Sequence, residues 1–209
     1  MQIYNAYNLQ TAVLSFVLAF MYFAVLIKVH RGSKFRFVYV ISSLMLVSNL
    51  TGILVEGTNY EILGEYAPDK TSYSAGVFVW IIMQAIFSFL RDSTFNVAHW
   101  EFAFKYFKIS IEVPQLLNGA RPDDSNDRFF KVTYYSLLVI NILVALLSSM
   151  SIAVYNWAVF KVRDISQTWI ALSQAFKFSD GGAQLISGFV LIGSLVKISR
   201  ELRKNNTGD

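Results

Sequence analysis

The sequence predicts an all-α, polytopic transmembrane helical bundle of about five spans, and three observations carry that prediction. Long apolar runs alternate with charged gaps from Met1 to about Lys197, the barest being 29 residues without a charge between Lys131 and Lys161. A helix needs about 20 apolar residues to cross a bilayer. Composition agrees, with 55% of residues hydrophobic and 15% charged, where soluble domains carry roughly 25% charged residues. Third, the lysines and arginines crowd into alternate gaps, as the positive-inside rule requires of a chain that crosses repeatedly.

Span 1 is expected within residues 8–27, since no charge precedes Lys28. Span 2 follows at 37–55, between Arg36 and Glu56, and a loop from Glu56 to Ser74 is expected after it. Span 3 is expected at 73–90. No helix breaker follows Leu90 until Pro114, so this helix is expected to run on to about Ser110, into the cytoplasm. Span 4 falls at 132–156 inside the charge-free stretch, whose 29 residues would make about 43 Å of helix and so must tilt or protrude. Span 5 is the shortest, 181–197. The uncharged segment 165–176 before it is either an interfacial helix or, preferred, the first part of a longer span beginning near residue 166. In that second reading the helix kinks at Gly181-Gly182, since paired glycines are a recognised cause of kinks.

With the N-terminus outside, 14 Lys and Arg fall on the cytoplasmic side and 4 outside: Lys70, Lys161, Arg163 and Lys177. The expected location is therefore an integral membrane, with the C-terminus in the cytoplasm, or in the matrix if the membrane is organellar. The net charge of +4 belongs to these gaps, where cations meet anionic lipid headgroups. Membrane lipid and other membrane proteins are the expected partners, and nucleic acid is not. There are no cysteines, which excludes disulfides, thiolate metal sites and cysteine nucleophiles. Met1–Asn5 has no basic leader and no Arg/Ser-rich transit pattern, so span 1 is read as retained.

The most distinctive segment follows span 3. At about 100° per residue, Asp92, Asn96, His99 and Ala103 share one helical face. Glu101, Lys105 and Lys108 fall opposite, with Glu101 and Lys105 at pairing distance. Trp100, Phe102, Phe104, Tyr106 and Phe107 flank both. Asp92, Asn96 and His99 form a candidate polar stripe at the cytoplasmic mouth of the bundle. Trp100, Glu101, Phe104, Lys105 and Tyr106 form a candidate contact surface. The bland alternative is an interfacial helix end with aromatics at headgroup depth. With His30 the only other histidine, no metal site is implied.

The pattern Asn96-x-Ala98-His99-Trp100-x-Phe102-Ala103-x-Lys105-Tyr106-x-x-x-Ser110 resembles one found after the third span of uncharacterised, seven-helix-like membrane proteins of ciliated protists. The resemblance covers about 15 residues plus the span layout. It implies a polytopic bundle and brings no activity with it.

Asp123, Asp124 and Asp127 match the DDxxD spacing with which prenyl-transferring enzymes hold magnesium diphosphate, a use that suits hard carboxylate oxygens. Such enzymes need a second acidic motif, and none is present, so a solvated turn with helix-capping acids explains this one better. In span 4, Asn141, Ala145, Ser148 and Ser149 lie along one side, where small and hydroxylated residues permit close helix approach.

No P-loop, G-x-S-x-G, H-E-x-x-H or haem-type histidine pair occurs, and no cofactor is implied. The function expected from these residues is non-enzymatic: a receptor-like membrane protein or a subunit of a larger membrane assembly. The alternative is a small-molecule or ion transporter or channel, with Gln84, Asp92, Asn96 and His99 lining the path. The preference for the first rests on the absence of evident ionisable residues within the five apolar cores.

Overall fold

The computed structural model describes residues 2–30, 36–65, 74–119, 124–161 and 167–207. They form five α-helices: α1 Gln2–His30, α2 Arg36–Glu65, α3 Ala75–Leu117, α4 Asp124–Lys161 and α5 Gln167–Thr207. Each contains a stretch long and apolar enough to cross a membrane, and the chain is an all-α, five-span bundle.

The helices outrun their apolar cores. The expected loop after Glu56 is instead helix as far as Glu65, because Val55, Thr58 and Ile62 continue one buried face at helical spacing. Residues 66–73 of that loop lie outside the described residues. α3 passes Ser110 and ends at Leu117. Pro114 falls in its last turn, where the missing amide donor disturbs little of the helix. Gly119 then takes φ 70° and donates its N–H to the Leu116 carbonyl at 3.1 Å, a left-handed stop that glycine adopts without strain. α5 runs through Gly181 and Gly182 without interruption. The segment 167–176 is therefore continuous with the rest of α5, whose stretch apolar enough to cross a membrane runs from Gln174 to Asn205; residues 165–166 lie outside the described residues.

α3 is the central element, touching α2, α4 and α5, while α4 and α5 also pack on each other. α1 packs its backbone against α2 alone. Large apolar side chains point outward on every helix, among them Phe16 and Phe20 on α1, Leu143 on α4 and Phe189 on α5. Inward, polar residues outnumber apolar ones among the buried described residues, 13 to 11. That inversion suits lipid, where outward apolar surface costs nothing and small polar side chains let helices approach. Most buried hydroxyls bond back to their own helix: Thr51 to the Val47 carbonyl at 2.8 Å, Ser149 to Ala145 at 2.9 Å, Ser194 to Val190 at 2.6 Å. Such back-bonding leaves the amides and charges to hold helices together.

Cross-helix contacts fix the register of α3. Phe37 of α2 stacks on Phe102, with centroids 6.0 Å apart, and the Ser48 hydroxyl donates to the Arg91 carbonyl at 3.0 Å. On the other flank, Phe130 of α4 meets Phe104 at 6.0 Å, and Asn156 Nδ2 donates to Gln84 Oε1 at 2.7 Å. The uncharged stretches 37–55 and 132–160 thus lie beside the part of α3 that runs from about Gln84 to Phe104. Arg91 and Asp92 are level with the middle of both stretches. They are not at the cytoplasmic mouth of the bundle, as the charge pattern suggests.

Candidate functional site

The register stacks the interior into layers. At the end of the bundle where α2 finishes, Ile62, Val77, Ile81 and Phe160 form an apolar cap. One helical turn below each of its contributing helices comes an amide layer. Gln84 Nε2 donates to Asn59 Oδ1, Asn156 donates to Gln84, and Asn59 Nδ2 donates to Glu56 Oε2 at 3.4 Å. Gln84 therefore joins α2, α3 and α4 through one side chain that is 6% exposed.

Below the amides lies a cavity of about 450 Å³ lined by residues of all five helices. Ser15 comes from α1, Ser48, Asn49 and Gly52 from α2, Arg91, Asp92 and Phe95 from α3, Ser148 and Ile152 from α4, and Lys177, Asp180, Gly181 and Gln184 from α5. Its volume is in the range of small-molecule sites, roughly 300–1,000 Å³. Gly52 lies against the Arg91 side chain and Ser15. A methyl group at Gly52 would meet Ser15 Oγ at 3.4 Å and Arg91 Cδ at 3.6 Å, so nothing much larger fits.

The charges in this cavity are held unequally. Arg91 Nε donates to its neighbour Asp92 at 2.8 Å. Asp180 instead accepts only from amides: from Asn96 Nδ2 at 2.6 Å and from Gln184 Nε2 at 3.3 Å. Gln184 also donates to Asn96 Oδ1 at 3.2 Å, closing a ring of three side chains across α3 and α5. Among the described residues no cation lies within ion-pair distance of Asp180, and no carboxylate within that distance of Lys177.

Below this ring the lining turns apolar. A second cavity of about 310 Å³ lies between α1, α2, α3 and α5, bounded by Tyr22, Ile41, Met45, Ala98, His99, Phe102, Ser187, Gly188 and Leu191. Phe95, which lines the charged cavity, packs on His99, which lines this one, at 4.4 Å between ring centroids.

The residues singled out from sequence separate accordingly. Asp92 and Asn96 both belong to the charged layer, and Asn96 is 1% exposed. His99 does not share their network and faces the apolar cavity. Trp100 is buried, its indole nitrogen without a partner. Glu101 and Lys105 do not pair with each other. Glu101 accepts from the Tyr134 hydroxyl, while Lys105 Nζ lies 3.5 Å above the Phe37 ring. Phe104 packs on Tyr134 at 5.2 Å and Tyr106 on Phe102 at 4.9 Å. Asn141, Ala145, Ser148 and Ser149 are all buried, at 2%, 0%, 3% and 1% exposure, and Asn141 Oδ1 has no partner. Asp124 and Asp127 open α4, their side chains outside the described residues, as is Asp123 altogether.

The chain matches no family model, no curated protein and no solved structure.

Sequence reasoning missed Asp180, Gln184, Asn59, Asn156 and Lys177. Asp180 and Lys177 read as boundary charges of a short span 5, and Asn59 as a loop residue. The inference that the cores lack ionisable groups is overturned by the same geometry: Arg91, Asp92 and Asp180 meet at mid-bundle. The available signal was the weakness of span 5. An apolar run too short to cross alone must take its flanking charge into the bundle.

Proposed function

We propose that this integral membrane protein is a transporter- or channel-class bundle that takes a small cationic or zwitterionic solute into its charged layer, with Asp180 as the counter-charge. The reading is carried by one observation: Asp180, held only by amides, opens onto a cavity that all five helices build. Ionisable residues within a membrane are costly and mark substrate or ion paths. Arg91 and Lys177, which line the same cavity, would receive the negative charge of a zwitterion. The apolar cap and the apolar cavity on either side of the polar layers support an occluded arrangement, in which passage requires one end to open.

Orientation belongs to the same proposal. Removing Arg91 and Lys177 from the count leaves 13 basic residues on one side and 3 on the other, so the positive-inside argument still supports a cytoplasmic or matrix-facing C-terminus.

The test is uptake into proteoliposomes holding the purified chain, with methylammonium and glycine as probes. Saturable uptake that falls at least tenfold in Asp180→Asn, in protein whose thermal stability is retained, supports the proposal. Uptake equal to that of protein-free vesicles for both probes overturns it. A second reading, as a subunit of a larger assembly, draws support from α1, which packs on α2 alone and leaves the flank between α1 and α5 open. Stoichiometric co-purification of another membrane protein from native membranes would favour it.

A further inference from the structure

The apolar cavity between α1, α2, α3 and α5 lies beside a gap in the bundle wall. α1 packs its backbone against α2 alone, yet Tyr22 of α1 and Leu191 of α5 bound the same space of about 310 Å³. That gap faces the membrane, so a molecule that enters through it is already dissolved in the bilayer. No charged residue lines the cavity, and burying an unpaired charge there is costly. The occupant it suits is neutral.

Three helices agree on its depth. Tyr22 lies six residues before Lys28, Ile41 five after Arg36 and Leu191 six before Lys197, each measured from the end of an uncharged run. At 1.5 Å per residue these positions are roughly 8–9 Å inside the charged boundary. His99 faces this space. Its ring packs on Phe95 at 4.4 Å between centroids, and its nitrogens make no hydrogen bond among the described residues. The Tyr22 hydroxyl makes none there either, whereas Ser187 already donates to the Gln184 carbonyl at 2.8 Å. A neutral imidazole carries one donor and one acceptor. Hydrocarbon satisfies neither, and unmet polar groups cost free energy. A hydroxyl, which both donates and accepts, is the smallest group that answers this site.

We propose that this cavity binds a neutral membrane lipophile through a single hydroxyl, which hydrogen-bonds to His99 while the apolar body fills the space toward Gly188. A methyl group at Gly188 would meet nothing within 4 Å, so there is room for that body beside the α5 backbone. The site is separate from the charged layer, and its test does not depend on any transport activity.

The experiment measures thermal unfolding and native-mass retention of the purified chain in phosphatidylcholine nanodiscs. Cholesterol, hexadecanol, cholestane or hexadecane is added, each at the same mole fraction. Cholesterol or hexadecanol is expected to raise the unfolding temperature and remain bound; which of them does so tells a ring body from a chain. Its hydroxyl-free counterpart should be held roughly fivefold more weakly, the worth of one hydrogen bond. His99→Phe should erase that difference and leave the binding of the hydrocarbon unchanged. Gly188→Leu fills the cavity and should weaken retention roughly tenfold at unchanged thermal stability. Gly193→Leu, on the same helix but outside the cavity lining, and also with nothing within 4 Å of an added methyl, should bind as the unmodified chain does. The two glycine positions keep the test valid if His99→Phe fails to fold. Equal retention of alcohols and hydrocarbons by the unmodified chain would overturn the proposal, as would retention of none of the four. So would Gly188→Leu that binds normally, because the lipophile would then sit elsewhere on the bundle.

Discussion

The charged layer and a lysine-lined cavity use the same kinds of residue at two depths, and they solve the problem of charge differently. At mid-bundle Arg91 is held by Asp92 and Asp180 by the amides of Asn96 and Gln184, while Lys177 lines the same cavity at a distance from any described carboxylate. At the end of the bundle where α2 begins, Lys105, Lys108 and Lys131 line a cavity with Glu101, Lys108 reaches Glu112 at 3.6 Å, and Lys105 rests on the Phe37 ring. Hydrocarbon offers no solvation, so the protein must supply the compensation itself. The interface offers water and lipid headgroups, which share the task of solvating charge. Depth, more than composition, decides what a charged side chain does in this molecule.

Substitutions at four positions would break or sharpen that contrast. Arg91→Leu leaves Asp92 and Asp180 facing one cavity without the guanidinium, and is expected to cost about 3 kcal/mol, the scale for breaking a buried pair. Equilibrium unfolding in detergent checks it; a cost no larger than that of Lys105→Gln would erase the distinction between the two depths. Gly52→Leu should cost about 2 kcal/mol through overpacking, while Gly52→Ala, whose methyl meets only ordinary contacts at 3.4 and 3.6 Å, should be near neutral. Both are read by the same unfolding measurement, and equal behaviour of the two variants would mean that Arg91 does not pass over Gly52. Gln84→Leu removes the amide that joins three helices and should cost about 1 kcal/mol, typical of an interhelical hydrogen bond in a membrane. Lys105→Gln, in phosphatidylcholine alone, should change stability by less than about 0.5 kcal/mol.

The fold was largely legible because charge-free runs report the bilayer directly. The alternation of those runs gives five helices, and the absence of a breaker after Leu90 gives the long α3. Helix ends were less legible, since Val55, Thr58 and Ile62 carry α2 past a glutamate that looks like a boundary. The site was legible only in halves. Asp92 and Asn96 stand out on one helical face, but the partners of Asn96 are 84 and 88 residues away on α5. No local period connects them, and only the register of packed helices does. Glu101 and Lys105 show the opposite error: correct spacing for a pair on an isolated helix, overridden when Tyr134 and Phe37 offer each a partner on a neighbouring helix.

The adjacency of Arg91 and Asp92 has a consequence for how the chain is made. A helix with unbalanced charge at its centre enters a membrane reluctantly, and Asp180 is synthesised 88 residues after Asp92. The ion pair lies within α3 itself, so it is available to the nascent helix before α4 and α5 exist. α3 can therefore enter the bilayer as an electrically balanced unit. Asn96, which is uncharged, can wait for α5 to arrive with the carboxylate it will hold.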